Sequence, residues 1–204
     1  MAIALIDYGA GNLTSVRKAL HTLGADVVTP VKPVFDDFSG AIVPGVGHFA
    51  ATAALDQEWR LALLDFLERG GALLGICLGM QWLFEGSTEA PQLAGLGLIA
   101  GRCALLESDH AERIKVPHVG WNELEIARLS SLLHGVPDRS FMYFTHSFAA
   151  PVTTDTTAVT THGQPFAAVV ERGRVAGVQF HPEKSGAAGL TILRNFVRSC
   201  SPNG

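Results

Sequence analysis

The chain has 204 residues, of which 48% are hydrophobic and 17% are charged. This composition excludes an intrinsically disordered chain, and a net charge of −4 lacks the basic excess that nucleic-acid-binding proteins carry. Asp7 interrupts the apolar N-terminus, and the longest uncharged stretch, residues 38–55, contains Pro44 and three glycines. These features predict neither a signal peptide nor a membrane-spanning helix. The odd number of cysteines, three, favours the reducing cytoplasm as the location.

The first half of the chain alternates short apolar runs with helix patterns. Residues 2–6 predict a buried strand, and Asn12 predicts the N-cap of a helix that ends at Gly24. Asp56 predicts the N-cap of a second helix, which ends at Gly70. This alternation predicts a parallel sheet with helices on both faces. Further strands are predicted at residues 26–29, 41–43 and 72–76.

The second half is richer in strand patterns. Arg172-Gly173-Arg174 predicts the turn of a hairpin between residues 167–171 and 175–180. The threonine-rich stretch 153–161 predicts a strand at a sheet edge. Together these patterns predict a single α/β domain, residues 1–204, with a mostly parallel central sheet and a β-rich second half. The remaining predictions are strands at 99–106, 121–126, 141–144 and 156–161, and a last helix burying Leu193, Phe196, Val197 and Cys200.

Cys77 lies at the centre of the most informative motif, Gly75-Ile76-Cys77-Leu78-Gly79. The motif follows an apolar strand and opens an apolar helix, which is the strand-turn-helix context of a nucleophile elbow. A helix N-terminus also favours the thiolate, the reactive form of cysteine. The alternative interpretation is that Cys77 is a small buried apolar residue, as free cysteines usually are.

His181 and Glu183 end a later strand and complete a candidate triad with the cysteine. A thiol nucleophile needs a general base, and the base needs a third group to orient it. His181 suits the first role and Glu183 the second, at the carboxyl end of a strand. The alternative is that His181 caps a loop and Glu183 is a solvated charge.

A glycine loop, Pro44-Gly45-Val46-Gly47, predicts an oxyanion site. The N–H of Val46 or Gly47, together with the N–H of Leu78, would bind a tetrahedral oxyanion. A phosphate-binding loop is the rival, but its G-x-x-x-x-G-K-[ST] pattern is absent.

The other histidines and cysteines suggest no metal and no cofactor. Their spacing matches no metal-binding motif, and the glycines after the first strand do not form a dinucleotide fingerprint. We therefore expect structural roles for Cys103 and Cys200, and no assigned chemistry for His110, His118, His134 and His162.

Motifs along nearly the whole chain resemble the class I (triad) glutamine amidotransferases. The Cys77 elbow and the His-Pro-Glu sequence at residues 181–183 are shared across that family. The family resemblance implies a flavodoxin-like fold and the hydrolysis of glutamine to glutamate and ammonia through a thioester on Cys77. The supporting segments are residues 6–13, 44–49, 75–84, 95–99, 116–122, 143–148 and 181–185.

The resemblance also implies a glutamine pocket. The family pattern places Gly47, Gln81 and the segment His146-Ser147-Phe148 around the substrate. Glu89 would meet the substrate ammonium group. Phe148 departs from the pattern, since many relatives carry Tyr there, so a backbone contact would survive the exchange and a hydroxyl contact would not.

The start of the chain and two further blocks, residues 117–122 and 181–185, are similar to one branch of the family. That branch acts in histidine biosynthesis as one half of a heterodimer. Its partner is a (β/α)₈ cyclase, which consumes the ammonia and releases imidazole glycerol phosphate and an aminoimidazole carboxamide ribotide. The resemblance implies a partner face at Trp121, Asn122, Tyr143 and Lys184, although Trp121 also suits core packing.

Three alternatives remain at this point. A glutaminase subunit of another pathway would share the triad but lack residues 117–122 and 181–185 as they stand here. A stand-alone cysteine hydrolase would be fully active without a partner. A non-catalytic binding module would have no need to keep Cys77, His181 and Glu183 together.

Overall fold

A nine-stranded sheet and a separate three-stranded sheet organise the chain in a computed structural model, which describes residues 2–109, 111 and 114–201. Most strands coincide with the predicted apolar runs. In chain order they are β1 (Ala2–Leu5), β2 (Asp26–Val28), β3 (Phe38–Val43), β4 (Ala72–Ile76), β5 (Gly86–Ser87), β6 (Arg102–Leu105), β7 (His118–Ile126), β8 (Ser140–His146), β9 (Phe148–Ala149), β10 (Thr156–His162), β11 (Gln164–Arg172) and β12 (Val175–Val178).

The described residues also form four α-helices and two 3₁₀ turns, which lie between the strands or follow the last one. Asp56 caps the second helix by accepting from the N–H groups of Glu58 and Trp59. Asn12 is the N-cap residue of the first helix, as predicted, although its side chain makes no capping hydrogen bond. The helices are α1 (Leu13–Thr22), α2 (Gln57–Glu68), α3 (Leu78–Leu83) and α4 (Gly186–Ser199), and the 3₁₀ turns are Phe49–Ala54 and Pro182–Lys184.

The large sheet has the strand order β2-β1-β3-β4-β12-β11-β10-β7-β8. The five strands from β2 to β12 pair in parallel, whereas β11, β10, β7 and β8 pair in antiparallel fashion. This arrangement confirms the predicted α/β class with a β-rich second half. It also places the carboxyl ends of β3, β4 and β12 side by side, where active sites form in such sheets.

Helices cover both faces of the parallel half. Along β4, Leu74 packs in one apolar core and Leu73 in the other, as the two-residue period of a strand requires. Residues of α1 and α4, such as Leu20 and Leu193, belong to the first core, and residues of α2, such as Leu63, belong to the second. No helix in the described part of the chain combines the length and apolarity needed to cross a bilayer.

Two predicted strands lie elsewhere than expected. The threonine-rich stretch was expected at a sheet edge, but β10 is internal, between β11 and β7, because both of its sides find a partner. The run at 99–106 shortens to β6, which belongs to the three-stranded sheet with β5 and β9. Of the four histidines to which the sequence assigns no chemistry, His110 lies outside the described residues.

Candidate active site

Cys77 connects β4 to α3 through the predicted sharp turn. Its backbone angles, φ 54° and ψ −107°, lie in a region that residues other than glycine rarely adopt. Its N–H donates to the carbonyl of Val178 on the neighbouring strand. The sulfur therefore projects from the carboxyl end of the sheet, between the ends of β3 and β12.

The glycines on either side of Cys77 allow this turn because backbone passes very close to them. A Cβ at position 79 would collide with the carbonyl oxygen of Val43, and one at position 75 would lie 2.6 Å from the carbonyl oxygen of Gly79. Any larger residue would push α3 away from the sheet.

We expect Gly79→Ala to lower the free energy of unfolding by about 3 kcal/mol or more, because the obstacle is backbone that cannot move aside. Gly11→Ala is the matched control, since a Cβ there would lie 3.6 Å from the nearest atom, in ordinary contact. Urea denaturation of the two variants measures the difference. Equal stabilities would contradict the close packing at the elbow.

Two side chains and one backbone carbonyl lie near the sulfur of Cys77. The Nε2 of Gln179 lies 3.7 Å from Sγ, and the carbonyl oxygen of Thr145 lies 4.0 Å from it. His181 is the third neighbour and interacts electrostatically with Cys77, while its buried Nε2 has no hydrogen-bond partner among the described residues. Cys77 is 4% exposed, so the sulfur reacts only with a molecule that enters the pocket.

His181 and Glu183 form the predicted pair. The Nδ1 of His181 lies 2.9 Å from Oε1 of Glu183, and both side chains are almost completely buried. Burial lowers the pKa of His181, but its contacts with Cys77 and Glu183 outweigh burial and raise that pKa to about 9. The ring can therefore accept a proton beside Cys77 and retain it at neutral pH.

The backbone of His181 is held by strand β8. Its N–H donates to the carbonyl of Tyr143. The hydroxyl of Ser185 donates to the carbonyl of His181 at 2.7 Å and accepts from the N–H of Tyr143 at 3.0 Å. The base is thus fixed between the end of β12 and the middle of β8.

The remaining predicted pocket residues lie together in one cavity of about 250 Å³ next to Cys77. Gln81 donates from Nε2 to the carbonyl of Phe148 at 2.7 Å and to Oε1 of Gln179 at 3.1 Å. Glu89 accepts from the N–H of Phe49 at 2.7 Å. The lining consists of Gly47, Cys77, Leu78, Gln81, Glu89, Pro117, Thr145, His146, Ser147 and Phe148.

Two of the three predicted oxyanion donors, the N–H groups of Val46 and Leu78, already have acceptors in this structure. The N–H of Leu78 donates to the carbonyl of Gly45 at 3.3 Å, and the N–H of Val46 donates to the carbonyl of Ala10 at 3.2 Å. Buried N–H groups need acceptors, and neighbouring carbonyls supply them here. In this conformation the N–H groups of Val46 and Leu78 are therefore not directed at the pocket, and the oxyanion site of Val46, Gly47 and Leu78 stays a prediction.

Gln179 and His118 belong to the site although neither was predicted there. Gln179 is completely buried and contacts both Gln81 and the Cys77 sulfur. The only signal for it was a polar residue within an otherwise apolar strand pattern. His118 contacts His146, which lines the cavity, and no sequence pattern indicated that pairing.

Cys103 and Cys200 are buried thiols at other places in the fold. Burial raises the pKa of both, that of Cys200 to about 11. Their environments therefore suit the structural roles predicted for them. Within the described ranges, no three His, Cys, Asp or Glu side chains are arranged to hold a metal ion.

An exposed aromatic face lies on the hairpin of β7 and β8. Trp121 is 55% exposed, so it is not a core residue, and its ring lies edge-on to that of Tyr143 at 5.9 Å. The Nζ of Lys184 lies 5.6 Å from the Tyr143 ring. Val119 and Phe141, also on these strands, add exposed apolar surface. An apolar surface of this kind suits a protein partner.

Several known proteins are similar to this chain over nearly its full length. Three of them, each an imidazole glycerol phosphate synthase subunit HisH, are 46%, 43% and 44% identical to it. The Moorella thermoacetica protein aligns with 95% of this chain and 93% of its own length. The corresponding shares are 98% and 94% for the Deinococcus radiodurans protein, and 96% and 97% for the Methanothermobacter thermautotrophicus protein.

Solved structures share the fold. A glutamine amidotransferase crystal structure superposes with a TM-score of 0.75 at 18% identity, over 98% of this chain and 99% of that one. PurLQS from Thermotoga maritima has a TM-score of 0.74 at 19% identity, over 97% of each chain. The family model of class-I glutamine amidotransferases matches residues 4–200. The chain therefore belongs to the class-I glutamine amidotransferase family.

Proposed function

We propose that this chain is the glutaminase subunit of an imidazole glycerol phosphate synthase and supplies ammonia to a cyclase in histidine biosynthesis. The identity of 43–46% to subunits of that name, over nearly the full length of each, carries the proposal. The juxtaposition of Cys77, His181 and Glu183 supports glutamine hydrolysis as the activity. We further propose that residues 1–204 form one amidotransferase domain, since strands from both halves share one sheet.

The proposed reaction begins with Cys77. Its sulfur attacks the carboxamide carbon of glutamine, and His181 accepts the thiol proton through Nε2. His181 then donates that proton to the leaving nitrogen, which departs as ammonia and leaves a thioester on Cys77. His181 next removes a proton from water, which attacks the thioester and releases glutamate and the free thiol. Glu183 keeps the ring oriented through Nδ1 throughout.

The hydrogen bonds of Gln81 suggest how the pocket recognises the carboxamide group of its substrate. Its Nε2 already donates to two protein acceptors, which leaves Oε1 to accept a hydrogen bond from the ligand. We assign that role to the carboxamide NH₂ of glutamine, and we assign the substrate ammonium group to Glu89. Phe148 contributes its carbonyl, so the missing tyrosine hydroxyl removes no contact seen here.

The occupied oxyanion donors support a two-state active site. We propose that the Pro44–Gly47 loop reorients, so that the N–H of Val46 or Gly47 and that of Leu78 turn to the developing oxyanion. In the resting arrangement, Gly45 and Ala10 accept from two of these donors. Such a resting state would hydrolyse glutamine slowly until a partner shifts the equilibrium.

The cyclase, a (β/α)₈ barrel, is the proposed partner, and it would bind the face of Trp121, Asn122, Tyr143 and Lys184. Free ammonia is mostly protonated at neutral pH and is lost to solvent, so its production benefits from coupling to its use.

We place the complex in the cytoplasm, because three free thiols are typical of a reducing compartment.

Glutaminase assays of the purified chain, with and without a cyclase subunit and its nucleotide substrate, test the proposal. We expect slow turnover alone and an increase of about 10²-fold or more with both, because loss of a single oxyanion donor costs that much. Full activity of the isolated chain, unchanged by the cyclase, would instead favour a stand-alone cysteine hydrolase.

Trp121→Ala tests the partner face through calorimetric titration of the chain with the cyclase. A central aromatic anchor contributes about 2 kcal/mol or more, so we expect the dissociation constant of the complex to rise about 30-fold. Leu129→Ala is the matched control, because Leu129 is fully exposed but lies beyond the end of β7. Equal effects of the two substitutions, measured by calorimetry, would exclude Trp121 from the interface.

A further inference from the structure

Two buried histidines face each other across β7 and β8, next to the pocket. His118 and His146 are register partners in the two strands. Nδ1 of His118 lies 3.2 Å from Nε2 of His146, and both residues are buried. Neither ring belongs to the Cys77–His181–Glu183 set, so their pairing needs its own explanation.

The neighbours of the two rings determine where their protons lie. Asn122 accepts the N–H of Glu123 through Oδ1, so its Nδ2 is the group that approaches Nε2 of His118 at 3.3 Å. Because an amide nitrogen only donates, Nε2 of His118 accepts and Nδ1 carries the hydrogen. The same Nδ2 also donates to the carbonyl of Thr161.

The other end of the pair gives an independent assignment. Nδ1 of His146 lies 2.9 Å from the carbonyl oxygen of Phe148, which only accepts. The hydrogen of His146 is therefore on Nδ1, and its Nε2 accepts. This agrees with His118 donating from Nδ1, so both rings are neutral Nδ1–H tautomers. Asn122 donates to His118, His118 donates to His146, and His146 donates to the carbonyl of Phe148.

The hydrogen-bond network continues from the Phe148 carbonyl to the nucleophile. The carbonyl of Phe148 also accepts from Nε2 of Gln81, which donates its second hydrogen to Oε1 of Gln179. Nε2 of Gln179 approaches the sulfur of Cys77 at 3.7 Å. Hydrogen bonds thus run without interruption from Asn122, beside the exposed Trp121, to Cys77.

We propose that His118 is a positioning residue for glutamine hydrolysis, acting through His146 and the Phe148 carbonyl to fix Gln81 and Gln179 beside Cys77. This inference rests on the proposed glutaminase function. A change at Asn122, on the proposed partner face, would reach the Phe148 carbonyl at the pocket through the two histidines, because reversing the donor in one ring requires reversing it in the next.

The surroundings keep both rings neutral, as the chain of bonds requires. Burial, together with His162 stacked 4.1 Å away, lowers the pKa of His118 to about 4. Burial dominates at His146 and lowers its pKa to about 3. A protonated His146 would carry a hydrogen on Nε2, directed at the hydrogen on Nδ1 of His118.

Nitrogen-15 NMR of the imidazole rings in the full wild-type chain at pH 7 tests the assignment directly. We expect both His118 and His146 to show a protonated Nδ1 and an unprotonated Nε2. An Nε2–H tautomer or a charged ring at either residue would overturn the proposal. This measurement does not depend on enzymatic activity, so it tests the tautomers alone. Absence of glutaminase activity in the complex would instead refute the proposed function.

Two substitutions of His118 separate hydrogen bonding from packing. The amide nitrogen of His118→Asn takes the place of Nδ1 and can still donate to His146, whereas that of His118→Gln takes the place of Nε2 and cannot. With the cyclase present, we expect the KM for glutamine to stay within about threefold in His118→Asn and to rise about tenfold in His118→Gln. Equal KM values in both variants would contradict the positioning role.

Discussion

Replacing Cys77 with Ala or Ser is expected to abolish glutamine-dependent synthesis by the complex while leaving ammonia-dependent synthesis largely intact. The sulfur forms the thioester, and no other thiol in the described part of the chain lines the pocket. Loss of a nucleophile removes a factor on the order of 10⁴ or more. Ammonia added from solution bypasses this step, because the cyclase consumes it directly.

Cys200→Ala is the matched control for the nucleophile. Cys200 is also a buried free thiol, but it follows α4 and packs against Phe196, away from the pocket. We expect both glutamine-dependent and ammonia-dependent rates to persist in this variant. If Cys77→Ala lost both rates, Cys77 would be a structural residue and the proposed mechanism would be wrong.

His181→Ala should reduce glutamine-dependent turnover on the order of 10⁴-fold. Glu183→Gln should cause a smaller loss, on the order of 10²-fold. The base transfers protons in both half-reactions, whereas its partner orients the ring and favours its charged form. A glutamine at position 183 can still accept the Nδ1–H through its carbonyl oxygen. It lacks the negative charge, which is one of the contacts that raise the pKa of His181.

Steady-state rates at saturating glutamine, measured in the complex, compare the two variants. Glu58→Gln serves as the control, since Glu58 is exposed in the first turn of α2 and distant from the pocket. A loss in Glu183→Gln equal to that in His181→Ala would mean that the charge of Glu183, rather than ring orientation, dominates.

The parallel half of the fold could be predicted because its signals are local. The run at 72–76 is apolar throughout and follows Gly70 and Gly71, and β4 occupies those residues. The glycines spaced around Cys77 indicated the elbow because their pattern spans only five residues, although the carbonyl that a Cβ at Gly79 would meet belongs to Val43. The adjacency of the elbow and His181 followed from the rule that sites form at the carboxyl ends of parallel strands.

What could not be predicted depends on contacts between distant segments. The position of β10 inside the sheet requires β7 as a second neighbour, and threonine content alone does not determine it. The contact of Gln179 with Cys77, 102 positions earlier, has no local signal. The partners of the Val46 and Leu78 N–H groups depend equally on how Ala10 and Gly45 approach them.

The general base and the nucleophile are attached to parts of the sheet that differ in their resistance to local unfolding. β8 is the last strand of the large sheet and has a neighbour on one side only, whereas β4, which precedes Cys77, is central. Local opening of an edge costs less free energy than opening of the centre. The general base therefore depends in part on an edge strand of the sheet, and the nucleophile follows a central one. Fraying of that edge would separate acid–base chemistry from nucleophilic chemistry while the parallel core remains folded.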